Sequence, residues 1–136
     1  MQIVEPVIAE WQVDRHEIGM LQFFPSDAAS ERFPFWSLPS NTIFLGVVES
    51  DALCLMHDGT LCVFDHEVAG RVVCHAASNQ TDLIAALKAM DDYFERCSDD
   101  DAFAEDESAA IEMREWCTAM VGGPDFASFI QLFFWA

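Results

Sequence analysis

Asp65, His66, Glu67 and His75 are the residues of this 136-residue chain that come nearest to a metal site by type and spacing, since carboxylates and imidazoles are ordinary ligands of divalent ions. Strand geometry works against them. Consecutive side chains of an extended strand point to opposite faces, so Asp65 and Glu67 leave one side and His66 the other, and a common ion is reached only through a bulge. Asp99, Asp100 and Asp101 are the next candidate, for calcium, but the spaced ligands and central glycine of an EF-hand loop are missing. GxSxG, HExxH, P-loop and GxGxxG patterns are all absent. No catalytic residue, metal ligand or cofactor is assigned from sequence, and the chain reads as a binding protein and not as an enzyme.

Five cysteines remain: Cys54, Cys62, Cys74, Cys97 and Cys117, an odd number without a CxxC pair. That usage suits a reducing cytoplasm and buried free thiols. Residues 1–6 carry neither a basic run nor a long apolar run, so no signal peptide is expected. A stretch of about 18 uninterrupted apolar residues is also lacking, so no membrane-spanning helix is expected.

The elements that must position these groups follow from periodicity. Asp58-Gly59 between two apolar runs predicts a β-hairpin with a two-residue turn. In that register Leu55 faces Cys62 and Cys54 faces Val63, which sends Leu53, Leu55, Cys62 and Phe64 to one face and Cys54, Met56, Leu61 and Val63 to the other. Cys54 and Cys62 would then lie on opposite faces, which disfavours a bridge. Both faces are apolar, so the hairpin belongs in the middle of a sheet that is covered on each side, or covered on one side and bound to something on the other. Residues 43–48 and 71–76 are the neighbouring strands, with Gly46 marking a bulge. Residues 19–24 read as a first strand, and residues 6–13 as a short helix or a strand. Residues 28–39, rich in aromatics and prolines, read as an irregular segment that lays its rings on the sheet, and Trp36 within it is a candidate partner anchor. Helices are predicted near 81–96, 103–121 and 125–134, the first capped by Ser78 or Thr81. In the second, Ala110, Met113, Trp116, Cys117, Met120 and Val121 share a core-facing arc, with Ile111 outside it. The whole is one α+β domain over residues 1–136: a central antiparallel sheet of four to six strands, helices packed on it, and a helical C-terminal region.

Charge is the outlier of the composition. Six basic against 24 acidic residues give −18, which opposes binding to nucleic acid or to an anionic membrane and favours a basic protein partner. The acids concentrate at Asp91, Asp92, Glu95, Asp99, Asp100, Asp101, Glu105, Asp106 and Glu107, opposed within that stretch by Arg96 alone. These nine and Trp36 are the candidate partner-binding residues. The apolar C-terminus, with Phe133, Phe134 and Trp135, must dock on the domain or on another copy of the chain.

Leu38-Pro39 ahead of the apolar run Ile43 to Gly46, the Asp58-Gly59 hairpin, Asp65-His66-Glu67, and Val73 to Ser78 leading into Leu83-Ile84-Ala85-Ala86-Leu87 together resemble the SMI1/KNR4 or SUKH superfamily over roughly residues 36–95. The resemblance implies a central antiparallel sheet and function by binding: many bacterial members are immunity proteins that neutralise toxins used between competing cells. A cytoplasmic immunity protein acting on a cognate toxin with a basic surface is therefore the expected function. An adaptor or chaperone for a secreted effector, or a small enzyme with a dispersed site, are the alternatives. The cysteine assignment is checked by thiol titration of denatured protein prepared anaerobically without reductant: all five thiols should react, and fewer would mean a pre-existing bridge.

Overall fold

The computed structural model describes residues 3–34 and 37–134. Its centre is a six-stranded sheet in which every neighbouring pair is antiparallel and the strands lie in chain order: β1 (Glu17–Ile18), β2 (Leu21–Phe23), β3 (Ile43–Val48), β4 (Asp51–Leu55), β5 (Leu61–Phe64) and β6 (Val72–Ala77). Six α-helices accompany it: α1 (Pro6–Asp14), α2 (Ala29–Arg32), α3 (Gln80–Asp99), α4 (Asp101–Ala104), α5 (Glu107–Val121) and α6 (Ala127–Phe134). The class is α+β with a helical C-terminal region. None of these helices is long and apolar enough to cross a membrane.

All four residues of β5 are buried, and in β4 every residue after Asp51 is buried. Alternation along these strands supplies two cores. On one face Leu53, Leu55, Leu61 and Val63 meet Leu83, Leu87 and Met90 of α3, Cys117 and Val121 of α5, and Phe129, Ile130 and Phe133 of α6. On the other, Phe44, Ala52, Cys54, Cys62 and Phe64 are covered by Phe24, Ala28 and Phe33. The ring of Phe33 meets Phe44 edge-on at 6.0 Å. The segment after β2 thus lays rings on the sheet as expected, although it first forms a 3-10 turn (Ser26–Ala28) and α2.

The hairpin at Asp58-Gly59 is present, with a register one residue away from the expected one. Met56 N–H donates to Thr60 O and Gly59 N–H to Met56 O, with Gly59 at φ 92°, so three residues make the connection. His57 joins Asp58-Gly59 in the connection, and Asp58 holds the turn: its Oδ1 accepts from both the backbone N–H (3.0 Å) and the hydroxyl (2.6 Å) of Thr60, which pairs with Met56. The pairs are Leu55 with Leu61, Cys54 with Cys62, Leu53 with Val63 and Ala52 with Phe64. Cys54 and Cys62 therefore share a face and stand directly opposite each other, contrary to the sequence expectation.

Other boundaries move for local reasons. The first strand is split, because Gly19 at φ 57° turns β1 into β2. Residues 6–14 are helical, entered by Pro6 and closed by Arg15 in the left-handed region. Asn79, not Ser78 or Thr81, caps α3 by accepting from Asp82 N–H at 2.8 Å. The helix expected over 103–121 is broken at Glu105-Asp106, because the Asp106 carboxylate accepts from Ala109 N–H and starts α5 afresh. Trp116, expected in the core, is 48% exposed: it lies at one rim of the apolar arc, and Cys117 and Val121, toward the other rim, take the buried places.

Two buried glutamines fasten the N-terminal segment. Gln80 accepts from Glu5 N–H at 2.8 Å and donates to Ile3 O at 2.9 Å. Gln12 Nε2 donates to Phe24 O at 3.0 Å and also lies within reach of Ser26 Oγ and Phe44 O. Gln80 has a partner at each end of its amide, and Gln12 at its Nε2, as burial demands.

Gly46 follows the bulge in β3 and has no room for a side chain, since a Cβ there would press on Gln22 O and sit 3.0 Å from Phe23 Cα. Backbone of β2 cannot retreat without breaking its pairing with β3. Gly46→Ala should therefore destabilise the protein by roughly 1–3 kcal/mol, as overpacked cores do, read as a lower urea midpoint with unchanged slope. An unchanged midpoint would show that β2 is not held against β3 as described.

Candidate functional site

Among the described residues, side chains that could do chemistry gather in four places. At the start of β4, Asp51 stands next to the Ala52–Phe64 pair, beside Asp65 and His66, and one donor atom from each of the three residues lies within 4.8 Å of the others. Local hydrogen bonds occupy the group. Asp51 Oδ1 accepts from His66 N–H at 3.0 Å and lies 2.7 Å from His66 Nδ1. Asp65 Oδ1 accepts from Glu67 N–H, and its Oδ2 faces the Arg71 guanidinium at 3.6 Å. The hydrogen bond to Asp51 holds the His66 imidazole above its ordinary pKa, helped by the charges of Asp51, Glu67 and Asp65. His75, grouped with these residues by sequence, is elsewhere: its Nδ1 lies 3.2 Å from Cys62 Sγ. Desolvation pushes the Cys62 thiol up from its ordinary value, and Cys54 opposite is pushed up to about 12 by the same cause. A thiol so buried needs a base to take its proton before it can act as a nucleophile at neutral pH.

An open cleft of about 510 Å³ runs beside α5 and α6, lined by Arg114, Glu115, Thr118, Ala119, Gly123, Pro124, Ala127 and Gln131. Its two ionisable residues are consecutive on α5 and point about 100° apart around the helix, so they do not converge on a reacting atom.

The fourth gathering is the acidic one. Asp91, Asp92, Glu95 and Asp99 lie on the second half of α3, Asp100 and Asp101 at the start of α4, and Glu105, Asp106 and Glu107 at the start of α5, which packs back against α3. All are exposed except Asp91, which is half-buried with His16 Nε2 at 3.8 Å. The turn of the chain from α3 through α4 into α5 carries these nine residues in succession. Two also have structural work: Asp100 caps α4 by accepting from Phe103 N–H, and Asp106 caps α5. Trp36 lies outside the described residues.

An aromatic knot fixes the corner. Tyr93 meets Phe94, Phe103 and Phe134 at ring separations of 5.9, 5.3 and 5.7 Å, which ties α4 and the end of α6 to α3. Arg96 places its guanidinium 3.7 Å over the Phe103 ring. Among the described residues no Lys or Arg lies within ion-pair distance of any of the nine carboxylates. Ile111 (44% exposed) and Trp116 (48%) are exposed apolar side chains of α5 and point about 140° apart around that helix. The exposure of Trp116 was hidden in sequence by its helical spacing, and the Cys62–His75 contact by the bulges of β6.

Comparisons with protein-family models, with curated proteins and with solved structures return no match.

The Asp51–His66 pair gives a pH dependence of known sign. A raised folded-state pKa means that the pair contributes its full stability below the unfolded value of 6.5 and loses it as pH rises through the folded value. The difference in urea midpoint between wild type and Asp51→Asn should therefore be largest near about pH 5 and shrink by about pH 8. A difference that grows with pH would contradict the geometry.

Proposed function

We propose that this chain is an immunity protein: it binds a cognate toxin of an interbacterial competition system and inhibits it by direct contact, with the corner formed by α3, α4 and α5 at the interface. The observation that carries the proposal is the corner itself, nine carboxylates on consecutive elements with no Lys or Arg paired to them among the described residues. Unpaired like charges raise the energy of the folded state, and a basic partner relieves that repulsion on binding. They also steer association, because a field of one sign draws an oppositely charged partner from beyond contact distance. Toxins that act on nucleic acid carry basic sites, so an acidic surface suits an inhibitor that covers one. Trp116, the exposed aromatic of α5, supplies what charge does not, an apolar anchor whose burial slows dissociation. The resemblance of residues 36–95 to the SMI1/KNR4 superfamily supports the same reading, and a cytoplasmic location follows from it, since the inhibitor must meet the toxin where the toxin acts.

Co-expression with the product of the neighbouring gene tests the proposal: cells should survive the toxin only when this protein is present, and dying cells that contain soluble, folded protein would remove it. Asp92, Glu95 and Asp99 cap no helix and are the residues to reverse. Their triple change to Lys should slow association at low salt by roughly tenfold, and added salt should weaken the wild-type complex more than the variant. Trp116→Ala should instead raise the dissociation rate. Protection together with salt-independent binding would keep the inhibitor and move its interface away from this corner.

A further inference from the structure

The register of the central hairpin puts two thiols and an imidazole together on the second face of the sheet. Cys54 and Cys62 are directly opposed on β4 and β5. On the next strand His75 pairs with Cys62, and its Nδ1 lies 3.2 Å from the Cys62 sulfur. The two cysteines are 0% and 4% exposed, whereas His75 is exposed on β6, the outermost strand. Cys62 is thus one strand in from the open edge, with a base on its solvent side and a second thiol on its inner side.

We propose that Cys62 and Cys54 form a redox site in which a hydroperoxide oxidises Cys62, His75 accepts the Cys62 proton, and Cys54 resolves the product as an intrachain disulfide. In the first step the Cys62 sulfur attacks the peroxide O–O bond. An S–O bond forms, the O–O bond breaks, and the departing oxygen takes the proton held by His75, leaving water and a sulfenic acid when the oxidant is hydrogen peroxide. In the second step the Cys54 sulfur attacks the Cys62 sulfur, the S–S bond forms, the S–O bond breaks, and the hydroxide leaves with the Cys54 proton as a second water. Two electrons pass from the pair of thiols to one peroxide.

Backbone geometry permits the bridge. Met56 N–H donates to Thr60 O, and alternation along the ladder then makes Leu55–Leu61 a non-hydrogen-bonded pair and Cys54–Cys62 a hydrogen-bonded one. Opposed Cα atoms at a hydrogen-bonded pair are about 5.5 Å apart, inside the range of about 4.4–6.8 Å that disulfides span. Side chains at such a pair stand further apart than a relaxed disulfide prefers, so the bond forms under strain and is readily reduced. Burial keeps both thiols protonated at rest, which makes His75 necessary and not merely helpful. Cys74 and Cys117 have no such arrangement: both are buried in the other core, on the face of the sheet opposite the His75 side chain. Cys97 lies on α3.

The test is hydrogen peroxide titration of the full chain, followed by alkylation under denaturing conditions and peptide mapping. Wild type should lose two thiols together and yield a peptide linking Cys54 to Cys62, and a dithiol reductant should restore both. Cys54→Ser should stop at the Cys62 sulfenic acid, captured by a cyclic 1,3-dione. His75→Gln, at an exposed position that leaves the fold intact, keeps both thiols and should slow the reaction at least about tenfold, the low side of what a positioned base contributes. A linking peptide absent from oxidised wild type, or His75→Gln oxidised at the wild-type rate, would overturn the proposal.

Discussion

The structure depends on burying β4 and β5 on both faces. A strand that alternates apolar and polar residues can leave one face wet, but Leu61-Cys62-Val63-Phe64 has no polar position to turn outward. Two covers are therefore required, and the chain supplies them from opposite ends of the sequence. The long cover is the helical layer of α3, α5 and α6 after the sheet. The short one is the segment between β2 and β3, whose Phe24 and Phe33 close over Phe44 and Phe64. Gln12, from α1, reaches Phe24 O and Phe44 O and so links the N-terminal helix to the short cover. Deleting either cover would expose a row of large apolar side chains, so neither can be dispensable.

Much of this was legible in the sequence because it rests on patterns of apolar residues. The central strands, the hairpin and the helix beginning near residue 80 are all signalled by periodicity, and their existence does not depend on fine geometry. What stayed hidden was set by single hydrogen bonds. Whether Asp58-Gly59 closes a two-residue or a three-residue loop turns on whether Thr60 pairs with His57 or with Met56, and a one-residue slip exchanges the faces of a whole strand. The break in the expected 103–121 helix likewise turns on Asp106 serving as a cap and not as a helical residue. Of the candidate site, the acidic corner was legible from composition alone. Trp116 was not, because periodicity places a residue on a helix face without saying where the neighbouring helix ends.

Few as they are, the basic residues are mostly not spent on carboxylates. Arg15 and Arg32 lie over the ring of Phe24 at 5.3 and 4.2 Å, Arg96 lies over Phe103, and among the described residues Arg71 alone of the Lys and Arg side chains faces a carboxylate, that of Asp65. Guanidinium groups on aromatic faces shield apolar edges of the core while remaining partly hydrated. The acidic excess is therefore left almost uncompensated inside the molecule, and it falls to solvent, salt or a partner to screen it.

Not all of that excess has the same local cost, and the difference bears on which acids belong to an interface. A helix N-terminus carries partial positive charge and a C-terminus partial negative charge, so a carboxylate gains about 0.3–1 kcal/mol near the first and loses a comparable amount near the second. Asp100 and Asp101 begin α4, and Asp106 and Glu107 begin α5, which makes them favourable where they stand. Glu95 and Asp99 lie in the last turns of α3, where the helix itself opposes them, and Arg96 nearby is turned onto Phe103. Solubility alone would be served by placing these charges anywhere on the surface. Keeping carboxylates at the end of α3 against the helix dipole makes sense if something outside the chain stabilises them, and a cation-rich partner surface docking on α3 would do so at those positions first.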